Sequence, residues 1–223
     1  GIILLSSMAL LPPFMSSLMG YPVVDIGAIL APRGFGTMGA MIIVGRLANK
    51  VDARYFITLG LVLITVSMWE MTLFTTEVTA WDIIRTGMVQ GVGLGFIFVP
   101  LSTISFATLD PKYRNEGTSM FSLLRNIGSS IGISVVTTYL AQRTQINHAA
   151  FADYINPFNL ALQISQEQGA YNTTTAAGLA ALNQVVTGQA ATLAYLQDFR
   201  LMMWITVAAL PLVLLLKEKS KHV

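Results

Sequence analysis

The sequence predicts an all-α membrane protein built from six spanning helices. Three observations lead there. The 223-residue chain is 54% hydrophobic and only 11% charged, against roughly 25% charge in a soluble domain, and its mean hydropathy is +0.64. Apolar stretches near the roughly 20 residues that cross a bilayer recur along the whole chain. Ten residues between two of these stretches, Gly45 to Arg54 (GRLANKVDAR), hold three of the 13 Lys+Arg. The net charge of +2 is too small to call for a nucleic-acid partner. With no Cys and no H-E-x-x-H, neither a thiolate nor that zinc site is expected.

Six spans follow in order: 1–20, 25–46, 54–74, 82–108, 118–142 and 199–217. The first opens on Gly1-Ile2-Ile3-Leu4-Leu5 with no Met and no basic leader, so it reads as a helix reached from further upstream. It also holds Pro12-Pro13. The second starts beside Asp25 and the fourth beside Asp82, and both carboxylates are placed to act as helix N-caps. The third, Tyr55 to Phe74, carries one charge, Glu70, and the sixth carries none from Leu201 to Leu216. Pro32, Pro100 and Pro211 interrupt spans, where neighbouring helices can satisfy the backbone groups they free. Residues 143–198 form an outer, partly helical segment rich in Ala, Thr, Gln and Asn. Phe151, Ile155, Phe158 and Leu162 suggest a short amphipathic helix there, and 175–196 a second helix able to extend the last span.

The cations orient the spans. Arg46, Lys50, Arg54, Lys112, Arg114, Lys217, Lys219 and Lys221 fall in connections on one side, and only Arg143 and Arg200 on the other. The first side is expected to be cytoplasmic, including the tail 218–223. Trp69, Trp81 and Trp204 then lie toward the outer interface, where an aromatic belt belongs.

Several residues stand out inside the spans. Arg33 and Arg125 lie deep, where a charge costs about 2.5–3.5 kcal/mol on insertion scales, so they mark a function or a buried network together with Asn126 and Glu70. Arg85 is near enough to the outer surface to snorkel. Gly87, Gly91 and Gly95, and Gly128 and Gly132, recur every four residues, the spacing that lets membrane helices pack closely. Gly128 to Gly132 also spells G-x-S-x-G, but an apolar helix supplies no strand before it, and the chain's two His, His148 and His222, lie far away. No enzymatic constellation is present. In the basic loop, Gly45 is placed to let the second span end against a neighbour, Asp52 to cap the third, and Arg46, Lys50 and Arg54 to hold the inner leaflet.

On these residues the chain resembles a family. Gly45-Arg46-Leu47-Ala48-Asn49-Lys50-Val51-Asp52-Ala53-Arg54 is similar to the cytoplasmic signature loop of the major facilitator superfamily, with Asn49 in place of the usual acid and Asp52 in place of a glycine. Pro12-Pro13, Pro32-Arg33-Gly34, Leu124-Arg125-Asn126-Ile127-Gly128 and the run Gln189 to Phe199 resemble the fourteen-span EmrB/QacA drug:proton antiporters. The resemblance implies the six-helix C-terminal bundle of such a transporter. It implies a partner N-terminal bundle bearing the main proton carboxylates, an amphipathic drug-like substrate, a proton gradient in place of any cofactor, and a periplasmic adaptor with an outer-membrane channel. Loop 45–54, including Asn49, would be the cytoplasmic gate. A transporter of another solute, such as a siderophore, fatty acid or metabolite, and a non-transporting membrane scaffold remain open.

Overall fold

In a computed structural model, residues 2–48, 50–106, 109–155 and 175–214 are described. Six helices account for most of them: α1 (Ile2–Pro13), α2 (Val23–Leu47), α3 (Ala53–Met71), α4 (Ala80–Phe106), α5 (Arg114–Ala152) and α6 (Ala176–Leu214). The fold is all-α, with no strand among the described residues. One π-helical turn, Phe14–Leu18, follows the Pro12-Pro13 pair. It closes on Gly20, whose φ of 72° is left-handed and suits glycine. The Tyr21 N–H then folds back to the Met15 carbonyl.

Four helices, α2, α3, α4 and α6, are long and apolar enough to cross a membrane. Ile2–Leu18 is apolar but shorter. α5 is long but carries Ser119, Ser122, Arg125, Asn126, Ser129, Ser130, Ser134, Thr137 and Thr138, and is not among the apolar spans. Its hydroxyls bond to their own helix: Ser129 and Ser130 donate to the carbonyls four residues back. Many of its side chains remain exposed, Leu123 to Ile127 among them.

Helix ends follow local chemistry. Asp52 is the N-cap of α3, its Oδ1 accepting from the Arg54 N–H at 2.9 Å. The other two expected caps shift. Pro22, not Asp25, occupies the N-cap of α2, and Asp25 sits inside the first turn. At α4 the cap chemistry belongs to Thr79: its Oγ1 accepts from the Asp82 N–H at 3.3 Å and donates to Asp82 Oδ2 at 2.6 Å. Asp82 is the reciprocal partner of a capping box, because Thr sits three residues before it.

α4 packs between α2 and α3, α6 between α3 and α5, and α1 against α5. Without water to drive them together, membrane helices associate through close contact, and glycine provides it. A Cβ on Gly91 would strike the Arg33 carbonyl, and one on Gly95 would lie 2.6 Å from Ala40 Cβ. Gly132 is pressed against Ile2 and Ser6 of α1. Gly87 and Gly128 have ordinary contacts only. The tightest α3–α4 crossing uses Gly60 and Gly93, which the four-residue pattern does not include.

The largest core lies at the end opposite the basic loops. The Phe14 ring meets Tyr195 at 5.3 Å, Phe199 at 6.3 Å and Phe74 at 6.4 Å between centroids. At the basic-loop end a smaller cluster joins Ile57, Leu61 and Val213. Trp69, Trp81 and Trp204 are all exposed.

α5 and α6 have 39 residues each, about 58 Å at 1.5 Å per residue, well beyond a hydrocarbon core of about 30 Å. Past the aromatic end they continue side by side. Asn147 donates to the Ala190 carbonyl at 3.2 Å, and His148 Nε2 lies 3.0 Å from Asn183 Oδ1. The helix at 118–142 is thus ten residues longer at its C-terminus than its apolar stretch, and 176–198 belongs to the same helix as the last span. Phe151 is in α5, Ile155 lies beyond its end, and Phe158 and Leu162 lie outside the described residues.

Candidate functional site

Arg33 follows Pro32 in α2. Proline lacks an N–H, so the Ala28 carbonyl loses its helical partner there. The residue is 7% exposed. Its Nη2 donates to Ser7 Oγ of α1 at 3.0 Å, and Ser7 donates in turn to the Leu4 carbonyl at 3.0 Å. The Arg33 carbonyl accepts from Thr37 Oγ1 at 3.0 Å and lies against Gly91. Among the described residues no carboxylate pairs with Arg33; the one ion pair is elsewhere.

Beside Arg33 is an open cavity of about 760 Å³ between α1, α2 and α4. Its walls are mostly apolar: Met8, Met38, Met41, Leu94 and Phe98, with Arg33 and Thr37 as polar points. Methionines are flexible and polarisable, so such a wall adapts to ligands of varied shape. Arg125 of α5 places its guanidinium carbon 5.9 Å from the Phe98 ring centroid, a cation–π distance. Arg33 thus lines the cavity, while Arg125 touches one of its lining residues, Phe98, without lining it. Asn126 is exposed beside Arg125.

Glu70 does not join them. Its Oε1 lies 3.2 Å from Arg85 Nη2, and its Oε2 accepts from Thr86 Oγ1 at 3.3 Å. Arg85 is therefore paired across α3 and α4 rather than reaching for water alone. The expected set of Arg33, Arg125, Asn126 and Glu70 divides into a cavity group and a separate interhelical clamp.

In the basic loop, Arg46 occupies the last turn of α2, where a cation suits the helix dipole. The Lys50 and Val51 N–H groups both fold back to the Leu47 carbonyl, and Asp52 starts α3. Asn49 lies outside the described residues. Among the described residues, a Cβ on Gly45 would meet nothing within 4 Å, so the neighbour expected there is not one of them. Arg54 Nε is buried without a partner.

Three further residues escape a reading by charge and glycine spacing. Ser7 is one of two adjacent hydroxyls in an apolar stretch, a polar signal that can be read. Gln90 is fully buried in α4, its Nε2 3.9 Å from Met68 Sδ and its Oε1 unpartnered. Asp198, at the end of the expected outer segment, is fully buried in α6, and both its oxygens lack a partner.

The comparisons with known proteins agree with this architecture. The chain is 28% identical over 193 residues to the Multidrug export protein EmrB of Haemophilus influenzae, covering 84% of this chain and 37% of that protein. It is 29% identical over 201 residues to the Probable multidrug resistance protein EmrY of Escherichia coli, covering 87% of this chain and 38% of the relative. It is 26% identical over 189 residues to the Fatty acid resistance protein FarB of Neisseria gonorrhoeae, covering 83% and 37%. The chain thus spans little more than a third of these relatives. The family model for the Major Facilitator Superfamily matches residues 1–133. With apolar membrane-crossing helices packed through glycines, the chain belongs to the Major Facilitator Superfamily of transporters.

Proposed function

We propose that this chain is the C-terminal bundle of a proton-coupled multidrug exporter of the bacterial inner membrane, rocking against an N-terminal bundle to alternate access. The observation that carries this reading is the open, methionine-rich cavity with a buried arginine on its wall. Its volume falls in the range of about 300–1,000 Å³ that holds drug-sized ligands. An apolar wall with a few polar points accepts amphipathic molecules, and Arg33 favours weakly acidic ones.

In this reading the exposed, hydroxyl-bearing face of α5 lines the path between the two bundles, which accounts for its polarity. The basic loops and the C-terminus face the cytoplasm, loop 45–54 gates that side, and residues 143–198 lie on the periplasmic side, where α5 and α6 project. A proton gradient supplies the energy, and a periplasmic adaptor and outer-membrane channel complete the export route.

The test is efflux of a weakly acidic amphipath from vesicles holding the full-length protein under an imposed pH gradient. Substrate movement that collapses with the gradient supports the reading. Movement indifferent to the gradient removes proton coupling, and no movement of any amphipath leaves a scaffold. Long-chain fatty acids are a second substrate class, favoured by the apolar wall beside an unpaired guanidinium and by the similarity to FarB.

A further inference from the structure

A second pocket, of about 300 Å³, opens between α5 and α6 toward the end opposite the basic loops. It is lined by Tyr139, Arg143, Gln197, Arg200, Leu201 and Trp204. The sequence puts only two cations in connections on that side, Arg143 and Arg200, and the fold brings both to this one pocket. Neither pairs with a carboxylate among the described residues. The Arg143 guanidinium carbon lies 4.9 Å from the Tyr139 ring centroid, a cation–π distance, and its N–H groups make no hydrogen bond among the described residues. Arg200 is exposed and makes no hydrogen bond among the described residues.

Two further side chains on the wall suit a lipid. Gln197 adds an uncharged polar group beside the two arginines. Trp204 is exposed, as an interfacial tryptophan facing headgroups would be. Deeper in the span, Ile131 and Val135 precede Tyr139 and Arg143 at four-residue spacing, so one ridge of α5 runs from the polar pocket to exposed apolar side chains.

We infer that this pocket binds the phosphate headgroup of an anionic phospholipid. The two guanidiniums take the phosphate, since arginine matches its geometry with paired N–H donors. Gln197 on the pocket wall faces the glycerol end of the headgroup, and the acyl chains lie along the Ile131–Val135 ridge. Phosphatidylglycerol carries all three features. The site lies on the opposite side of the membrane from the basic loops, so it is separate from attraction of those loops to their own leaflet. It makes the lipid of that leaflet a structural ligand of the α5–α6 pair.

The test uses the full-length protein with Trp69 and Trp81 replaced by Phe, so that Trp204 reports for this chain, and any upstream tryptophans replaced likewise. The protein is placed in phosphatidylcholine bilayers with increasing phosphatidylglycerol brominated on its acyl chains. Trp204 is expected to be quenched at about one thirtieth of the mole fraction that random mixing requires, a preference of the size two surface cations give. The Arg143→Gln/Arg200→Gln pair is expected to abolish that preference, while Arg85→Gln, in the ion pair with Glu70, keeps it. Millimolar inorganic phosphate is expected to leave quenching unchanged. Equal quenching of the double variant and the parent overturns the site. Relief of quenching by inorganic phosphate alone overturns the lipid assignment in favour of a free anion. Far-ultraviolet circular dichroism of each variant confirms that the helices persist.

Discussion

Arg33 of α2 donates to Ser7 of α1 at 3.0 Å, and among the described residues this hydroxyl is its one hydrogen-bond partner outside its own helix. A guanidinium has five N–H donors, so most of Arg33's capacity is left over beside the cavity. That surplus makes Arg33 a candidate ligand-binding group rather than a plain cross-brace.

Arg33→Ala in the full-length protein is expected to lower efflux of a weakly acidic substrate by about tenfold or more, the cost of removing one charge-assisted partner. Arg85→Ala, which removes a half-exposed ion pair worth about 0–1 kcal/mol, is expected to stay within about twofold. Vesicle transport at matched protein levels compares them. Equal losses in both variants would put the role of Arg33 in folding.

Ser7→Ala separates bracing from binding. It removes the anchor but leaves the charge, so transport is expected to fall less than in Arg33→Ala while apparent substrate affinity weakens. An effect on maximal rate alone, with affinity unchanged, would count against Arg33 touching substrate.

Gly60 and Gly93 meet backbone to backbone, with a Cβ on Gly60 predicted to fall 2.6 Å from the Gly93 carbonyl. Gly93→Val is expected to cost about 1–3 kcal/mol by forcing α3 and α4 apart. Gly45→Ala, with open space around it, is expected to be neutral or slightly stabilising. Thermal unfolding in detergent reads both, and a tolerant Gly93→Val would remove the tight crossing.

Asp52→Ala is expected to lose about 1 kcal/mol of stability through the missing α3 cap, and Asp52→Asn to retain most of it because an amide oxygen caps as well. If Asn also fails to support transport at normal stability, the charge itself serves the gate. Restoration by Asn assigns the residue to capping.

Asp198 has the opposite balance. A carboxylate group with neither oxygen partnered is expensive in a helix bundle. Asp198→Asn is therefore expected to leave the melting temperature unchanged or higher, and a fall of several degrees would show that the carboxyl braces the fold.

Much of this was legible from residues alone, and the failures share a cause. Hydropathy located the helices, because length and apolarity are what a bilayer demands. The Asp52 cap, the Gly91 and Gly95 contacts and the depth of Arg33 followed from local rules. What depends on which helix lies beside which was not legible. Glu70 and Arg85 are on different helices with no spacing to link them. Phe98 is one apolar residue among many until Arg125 lies over it. Gly60 is a lone glycine until Gly93 faces it. α5 was read as an ordinary span from its apolar residues, although its hydroxyls distinguish it from its neighbours. Asp198 was one of a few charges in the outer segment, and its burial depends on the helices packed around it.

The ring cluster of Phe14, Phe74, Tyr195 and Phe199 fastens three separate stretches of chain at one extremity. Toward the other, among the described residues, rings meet only in pairs, Phe56 with Phe96 and Phe106 with Phe121. A bundle riveted this way is expected to keep its aromatic tip intact and to yield first where the rings meet two by two.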